Sequence, residues 1–126
     1  MIDQNKVIAS FNYINTDFET LRKDIEGVIV VRKMSLLGHI DTGHDACPPR
    51  PNNEASPDVF VDGIPVHRVG DGWSAHGCDD HPPHGATTVS GSSFVFINGQ
   101  PSSFIGSAVS CGSSIAQGSD YVFIDE

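Results

Sequence analysis

Three segments of the chain, ASPDVFVDG (55–63), GSSFVFING (91–99) and GSDYVFIDE (118–126), are variants of one unit. Each is a small-residue turn, a short run of β-branched and aromatic residues, and a polar turn, which predicts a strand of about four or five residues. The first two run on into IPVHRVGD (64–71) and QPSSFIGS (100–107), and KMSLLGH (33–39) is an earlier, unaccompanied version of that second element. The unit is therefore a strand, an Asx-Gly-x-Pro turn, a strand ending in Gly, and a variable loop. The loops, 39–54, 71–90 and 107–117, carry one Cys each, and the first two also carry His. Ordinary antiparallel hairpins would give the same strands. Cys at related places in all three loops favours a pseudo-three-fold stack of hairpins whose loops converge at one end.

The totals narrow what such a stack can do. The 126 residues make about one domain, and Gly and Pro together account for 21 of them. A net charge of −9 with only seven Lys and Arg leaves no basic stripe for phosphates, which argues against nucleic acid and against an anionic membrane surface as standing partners. No apolar run approaches the roughly 18 residues needed to span a bilayer. The start, MIDQNKVIASFNYINTDFETLRK, has no basic segment followed by an apolar one, so no signal peptide is expected. Three cysteines cannot all pair within one chain, and with six His nearby metal binding competes with disulfides.

Residues 1–33 hold no Cys, His or Pro and read as an N-terminal extension to a domain over 34–126. Within the extension, Asn15, Thr16 or Asp17 is a candidate N-cap, Phe18, Leu21 and Ile25 share a helical face, and Gly27 is a stop. This predicts a short helix over about 17–26 and a strand at 28–32.

The stretch SAHGCDDHPPHG (74–85) concentrates the chemistry. Across the loops the candidate metal ligands are His39, His44, Cys47, His76, Cys78, His81, His84 and Cys111. Imidazole and thiolate suit Zn or Fe, and a structural zinc takes four such donors in a closed tetrahedron. The spacing is not a zinc-finger pattern, so from residues alone the ligand set stays open. His67, mid-strand beside Arg68, reads as a surface or pairing residue. His39, at a turn, reads as a turn hydrogen-bonder, and Cys47 before two prolines as a small buried apolar residue. Asp79 and Asp80 solvate the loop or hold a ligand imidazole. A metal-dependent hydrolase could use the same His and Cys cluster, with Asp45, Asp79 or Asp80 as acid or base. Against it, no His-Glu-x-x-His helix is present, and Pro82-Pro83 forbids a helix there. A disulfide-braced adhesin or binding module is a third reading, disfavoured by the odd Cys and the expected lack of a leader.

From about Ser35 to Asp125 the chain resembles the PAAR-repeat proteins, the conical tips on the trimeric spikes of contractile phage tails and type VI secretion systems. SPDVFVDGIPVHRVGD follows the family pattern almost position by position, and SSFVFINGQPSSFIGS keeps strand and turn but loses Arg and Asp. The first copy has Lys33 for Pro and His39 for Asp. The Pro-Ala-Ala-Arg tetrapeptide is not intact, Pro65-Val66-His67-Arg68 being nearest. GHDACPPRP (43–51) and the long AHGCDDHPPHG loop look more like phage members. The resemblance implies a mainly β, conical fold and no catalytic residues. It implies one apical structural ion, Zn first and Fe second, held by three His and one Cys: His44, His76, His84 and Cys111, with His81 and Cys78 as substitutes. It further implies a monomer capping a trimeric β-helical spike, one tip per trimer, in transient contact with a target outer membrane. The location would be the virion tail baseplate, or otherwise a type VI apparatus that secretes the tip without a signal peptide. The wide face opposite the apex should be apolar and triangular. There Val59, Val61, Val95, Ile97, Val122 and Ile124 alternate with Phe60, Phe96 and Phe123, one set facing the core.

Overall fold

The computed structural model describes residues 30–126. The helix expected over 17–26 lies outside them, as does the start of the strand expected at 28–32. Among the described residues the chain forms strands and turns without a helix. The strands are β1 (Val31–Lys33), β2 (Phe60–Val61), β3 (Ile64–Pro65), β4 (Gly72–Cys78), β5 (His81–Thr87), β6 (Phe96–Ile97), β7 (Gln100–Pro101) and β8 (Phe123–Asp125). They pair as four antiparallel two-stranded sheets: β1–β8, β2–β3, β4–β5 and β6–β7.

The Asx-Gly turns explain two of these hairpins. Asp62 and Gly63 have φ of +50° and +78°, and Asn98 and Gly99 have +55° and +80°. Two successive positive φ values make the type I′ turn that matches strand twist, which is why Asx-Gly recurs there. The third hairpin is split between the ends of the described chain: Arg32 of β1 lies opposite Ile124 of β8. The unaccompanied KMSLLGH thus finds its missing first strand in the last copy, GSDYVFIDE, and residues 31–33 are held by the C-terminal end.

Backbone hydrogen bonds make the pseudo-three-fold explicit. The hydroxyls of Ser56, Ser92 and Ser119 each accept from the backbone N–H groups two and three residues on. Three equivalent residues then close a ring: Ser35 N–H donates to Ser103 O, Ser103 N–H to His67 O, and His67 N–H to Ser35 O. One residue earlier in each copy, Val66, Ser102 and Met34 donate to Val59, Val95 and Val122. Strands this short cannot stand alone; the ring joins the second element of each copy to those of the other two.

The core inside this ring is Met34, Leu36, Val66, Val95, Ile97, Phe104 and Ile124, with Val59, Val61 and Val122 packed against it. The expected division of the strand residues is observed: the Val/Ile set turns inward, while Phe60 and Phe96 are exposed at 52% and 38%. Where each second strand ends, His39, Asp71 and Ser107 play one role. Their side chains accept from the backbone N–H of Leu36, Arg68 and Phe104, three residues earlier. His39 therefore makes the turn hydrogen bond its position suggests.

His67 corrects the sequence reading. It is no surface residue but is fully buried at the ring. Its Nδ1 faces the Glu54 carbonyl at 2.7 Å, so that nitrogen carries the hydrogen, and Nε2 accepts from the Thr88 hydroxyl at 2.7 Å. Thr88 Oγ1 in turn accepts from the Trp73 indole N–H at 2.9 Å. Every donor in this chain of bonds has its acceptor only with a neutral imidazole, and burial lowers the His67 pKa below its usual 6.5. A lowered folded-state pKa means stability present above 6.5 and lost as pH falls below it, where the unfolded chain takes up a proton more readily. Histidine NMR titration should show the His67 ring still neutral below pH 6.5, with the melting temperature falling over the same window. A ring protonating at or above 6.5 would contradict this.

Candidate metal centre

The three variable loops are ordered against one another. The longest is the hairpin β4–β5, in which His76 sits opposite His84 and Cys78 opposite His81. Pro82 and Pro83 exclude a helix but are compatible with this extended, two-stranded arm. The first loop folds back on itself through the bridges Ile40–Pro51 and His44–Cys47. Seams then join the loops in a cycle: Asn52 with Trp73, Thr88 with Val109, and Ile115 with Asp41. Trp73, Val109 and Ile115 form a small apolar cluster beneath, packed by Ala86 and Cys111.

This cycle brings together one residue of the first loop, two of the second and one of the third. The donor atoms of His44, His76, His84 and Cys111 lie within 4.8 Å of one another. The Nε2 atoms of the three histidines are 2.9–3.0 Å apart pairwise. Their other nitrogens fix what those atoms are. His76 Nδ1 is 2.8 Å from Pro48 O and His84 Nδ1 is 2.9 Å from Pro82 O. A carbonyl only accepts, so both Nδ1 atoms carry hydrogen and both Nε2 atoms of neutral rings are bare lone pairs. Two lone pairs aimed at each other at 2.9 Å repel unless a cation lies between them. Three imidazoles and a thiol with this polarity fit a borderline-soft dication such as Zn²⁺.

Two residues that the sequence reading passed over complete the surroundings. Arg50 is 3% exposed and Asp41 fully buried. Asp41 Oδ1 accepts from the backbone N–H of Gly43 and Arg50, and Oδ2 accepts from the Ser113 hydroxyl. Arg50 donates to His84 O and to Cys111 Sγ, both at 2.9 Å. The first loop thus reaches the ligand-bearing residues of the other two through one guanidinium. The signal was a lone Arg in an acidic, proline-rich loop, which by itself reads as a solvated charge.

His81 and Cys78, the substitutes, are placed elsewhere. His81 Nε2–H donates to Asp45 Oδ2 at 2.7 Å, and this hydrogen bond holds the Asp45 carboxyl below its usual range. The same carboxylate oxygen is 3.8 Å from His44 Nδ1, so His44, Asp45 and His81 form a second, more exposed group. Cys78 is bonded to Cys47, at a sequence separation of 31. Cys47 is therefore buried as half of a disulfide, which the odd Cys count obscured; Cys111 is the one left over. The bridge joins chain positions three residues after His44 and two after His76. A loop of this length gives about 3.5 kcal/mol of chain-entropy stabilisation. The double change Cys47→Ser with Cys78→Ser should lower the unfolding free energy by about that amount in a denaturant titration; an unchanged midpoint would show that the bridge constrains nothing.

A pseudo-three-fold ring of hairpins whose loops present one convergent set of His and Cys donors defines a repeat-built β module with a candidate structural metal centre. The family model for the PAAR motif matches residues 42–117, more than half of the chain, and the protein belongs to that family. The family is one of structural spike tips, which supports a spike-tip role in a contractile injection system. No curated protein matches the chain.

Proposed function

We propose that this protein is the membrane-piercing tip of a contractile spike, a non-enzymatic monomer that caps one trimeric β-helical spike protein and is stiffened by one metal ion, zinc before iron. The observation that carries the reading is the distribution of the donors: one loop gives His44, one gives His76 and His84, and one gives Cys111. A dication bound there would cross-link all three loops at a single point. His76 and His84 are oriented by the carbonyls of Pro48 and Pro82 to present their lone pairs. Four protein donors are what a closed structural site uses, whereas a catalytic zinc keeps a position for water. Asp45, a candidate acid or base for the hydrolase reading, is engaged by His81.

The exposed apolar side chains support the capping half of the reading. Leu37, Phe60, Ile64, Phe94, Phe96 and Tyr121 belong to the hairpin repeats, and Val89 alone of the large exposed ones lies in a variable loop. Large apolar side chains left exposed on the repeats are what a protein contact would cover. In the proposal this face seats on the blunt end of the spike, and the chain ahead of β1 is an extension that docks on the spike or a neighbouring tail protein. The acidic surface keeps the tip from nucleic acid, and membrane contact is transient. The location is the virion tail, or otherwise the type VI apparatus. Co-expression with the cognate spike protein, followed by mass measurement of the purified complex, should give one tip per three spike chains. One tip per spike chain, or no association, would overturn the capping role.

A further inference from the structure

The geometry points to Arg50 as a positioning residue of the metal centre, holding Cys111 and the backbone of His84 in place and sharing the charge of the sulfur; this rests on the metal-bearing reading above. A guanidinium has donors only and stays protonated, so Cys111 Sγ is the acceptor of the 2.9 Å contact. The same side chain donates to His84 O at 2.9 Å, and the His84 ring is fixed from its other side by Pro82 O. Two of the three guanidinium nitrogens are therefore spent on ligand-bearing residues, one in each of the other two loops. The third, Nε, lies 3.3 Å from Asp41 Oδ2 without a hydrogen bond, so it sets charge balance more than direction.

Asp41 is already satisfied by two backbone N–H groups and the Ser113 hydroxyl. It does not need the Arg50 side chain for its hydrogen bonds, and the guanidinium is free to serve the ligands. Ser113 links the two halves. Its hydroxyl hydrogen is directed at Asp41, and its oxygen lies 3.4 Å from Cys111 Sγ. The sulfur is thus approached by a cationic donor on one side and a neutral oxygen on the other. A hydrogen bond from a cation to a ligating sulfur withdraws electron density from it, the outer-shell lever that tunes a metal centre.

Cobalt(II) is the probe, because its sulfur-to-metal charge-transfer band reports the sulfur directly. Full-length, disulfide-intact protein is titrated with Co²⁺ in wild type, Arg50→Lys and Arg50→Gln. In both variants Co²⁺ affinity should fall about 10–100-fold, and the charge-transfer band should move to longer wavelength as the sulfur regains electron density. Arg50→Lys should fall between wild type and Arg50→Gln, since it keeps the charge and loses the fork. A folded Arg50→Gln with wild-type affinity and band position overturns the inference and leaves the metal site standing. A wild type that binds no Co²⁺ overturns both. Should neither variant fold, ¹¹³Cd-loaded wild type labelled with ¹⁵N-arginine decides: a scalar coupling between ¹¹³Cd and an Arg50 Nη proton supports the contact, and its absence refutes it.

Discussion

Stripping the ion proposed for the loop-end donors with a chelator, or replacing His84 with Ala, is expected to cost on the order of 10 kcal/mol of folding free energy at the loop end, the scale of structural zinc in small domains. Other forces there are smaller. The apolar cluster is only Trp73, Val109 and Ile115 with partial support from Ala86 and Cys111. Fully burying such side chains contributes about 1.5–3 kcal/mol each, while fixing each loop residue costs about 1–2 kcal/mol. The Cys47–Cys78 bridge ties the first loop to the second and leaves the third, with Cys111, joined only through backbone seams and side-chain contacts. The hairpin ring has its own core and should outlast the loops. A chelated sample should therefore melt in two steps, the loop end first, against one cooperative step for the loaded protein, and elemental analysis should find one ion per chain. A chelated protein that melts as the loaded one does would show that the donors hold no structural ion. His84→Ala should abolish the chelator sensitivity, because the early step is then already present.

Removing Asp71 alone is the second large effect. Arg68 and Asp71 form a bidentate pair, with Nε–Oδ2 at 3.0 Å and Nη2–Oδ1 at 2.9 Å, and Asp71 is 2% exposed. The Asp71 hydrogen bond raises the already high Arg68 pKa, so the arginine cannot escape by losing its proton. Asp71→Ala strands that cation and should cost about 3–5 kcal/mol. The molecule carries its own control. At the equivalent positions the other copies have Leu36 with His39, and Phe104 with Ser107, and the turn is held in each. The double change Arg68→Phe with Asp71→Ser copies the third repeat, removes both charges and keeps an acceptor for the backbone N–H of residue 68. It should lie within about 1 kcal/mol of wild type, since replacing a whole buried pair is often neutral. Urea titrations of the single and double variants test this directly; a double variant as unstable as the single would show that the site needs the ion pair itself.

Much of this molecule is readable from local rules. The strands follow from three runs of β-branched and aromatic residues, and two hairpins from Asx-Gly pairs. The role of His39 follows from the Asp71 and Ser107 turns, whose register repeats. The four residues brought together at the loop end are those the family resemblance picks out, and composition alone does not separate them from His39, Cys47, Cys78 and His81. Those four differ in partners, and partners lie far away in sequence. Cys78 is two residues from His76, yet one finds Cys47 and the other the cluster: two residues apart on a regular strand would share a face, and here the register of the hairpin shifts between them.

The sequence by itself determined the repeat unit, its turns and the division of the strand residues into two alternating sets, because each depends on contacts within a few residues or on a period of two. Only the tertiary structure decided that β1 pairs with β8, that the longest loop is a hairpin, that Cys47 and Cys78 are joined, that His67 is buried and neutral, and that Arg50 stands against the sulfur of Cys111. The hairpin pairs residues 3 to 15 positions apart, the others 13 to 94 apart, and what selects among such meetings is which polar groups can be buried with every donor and acceptor satisfied.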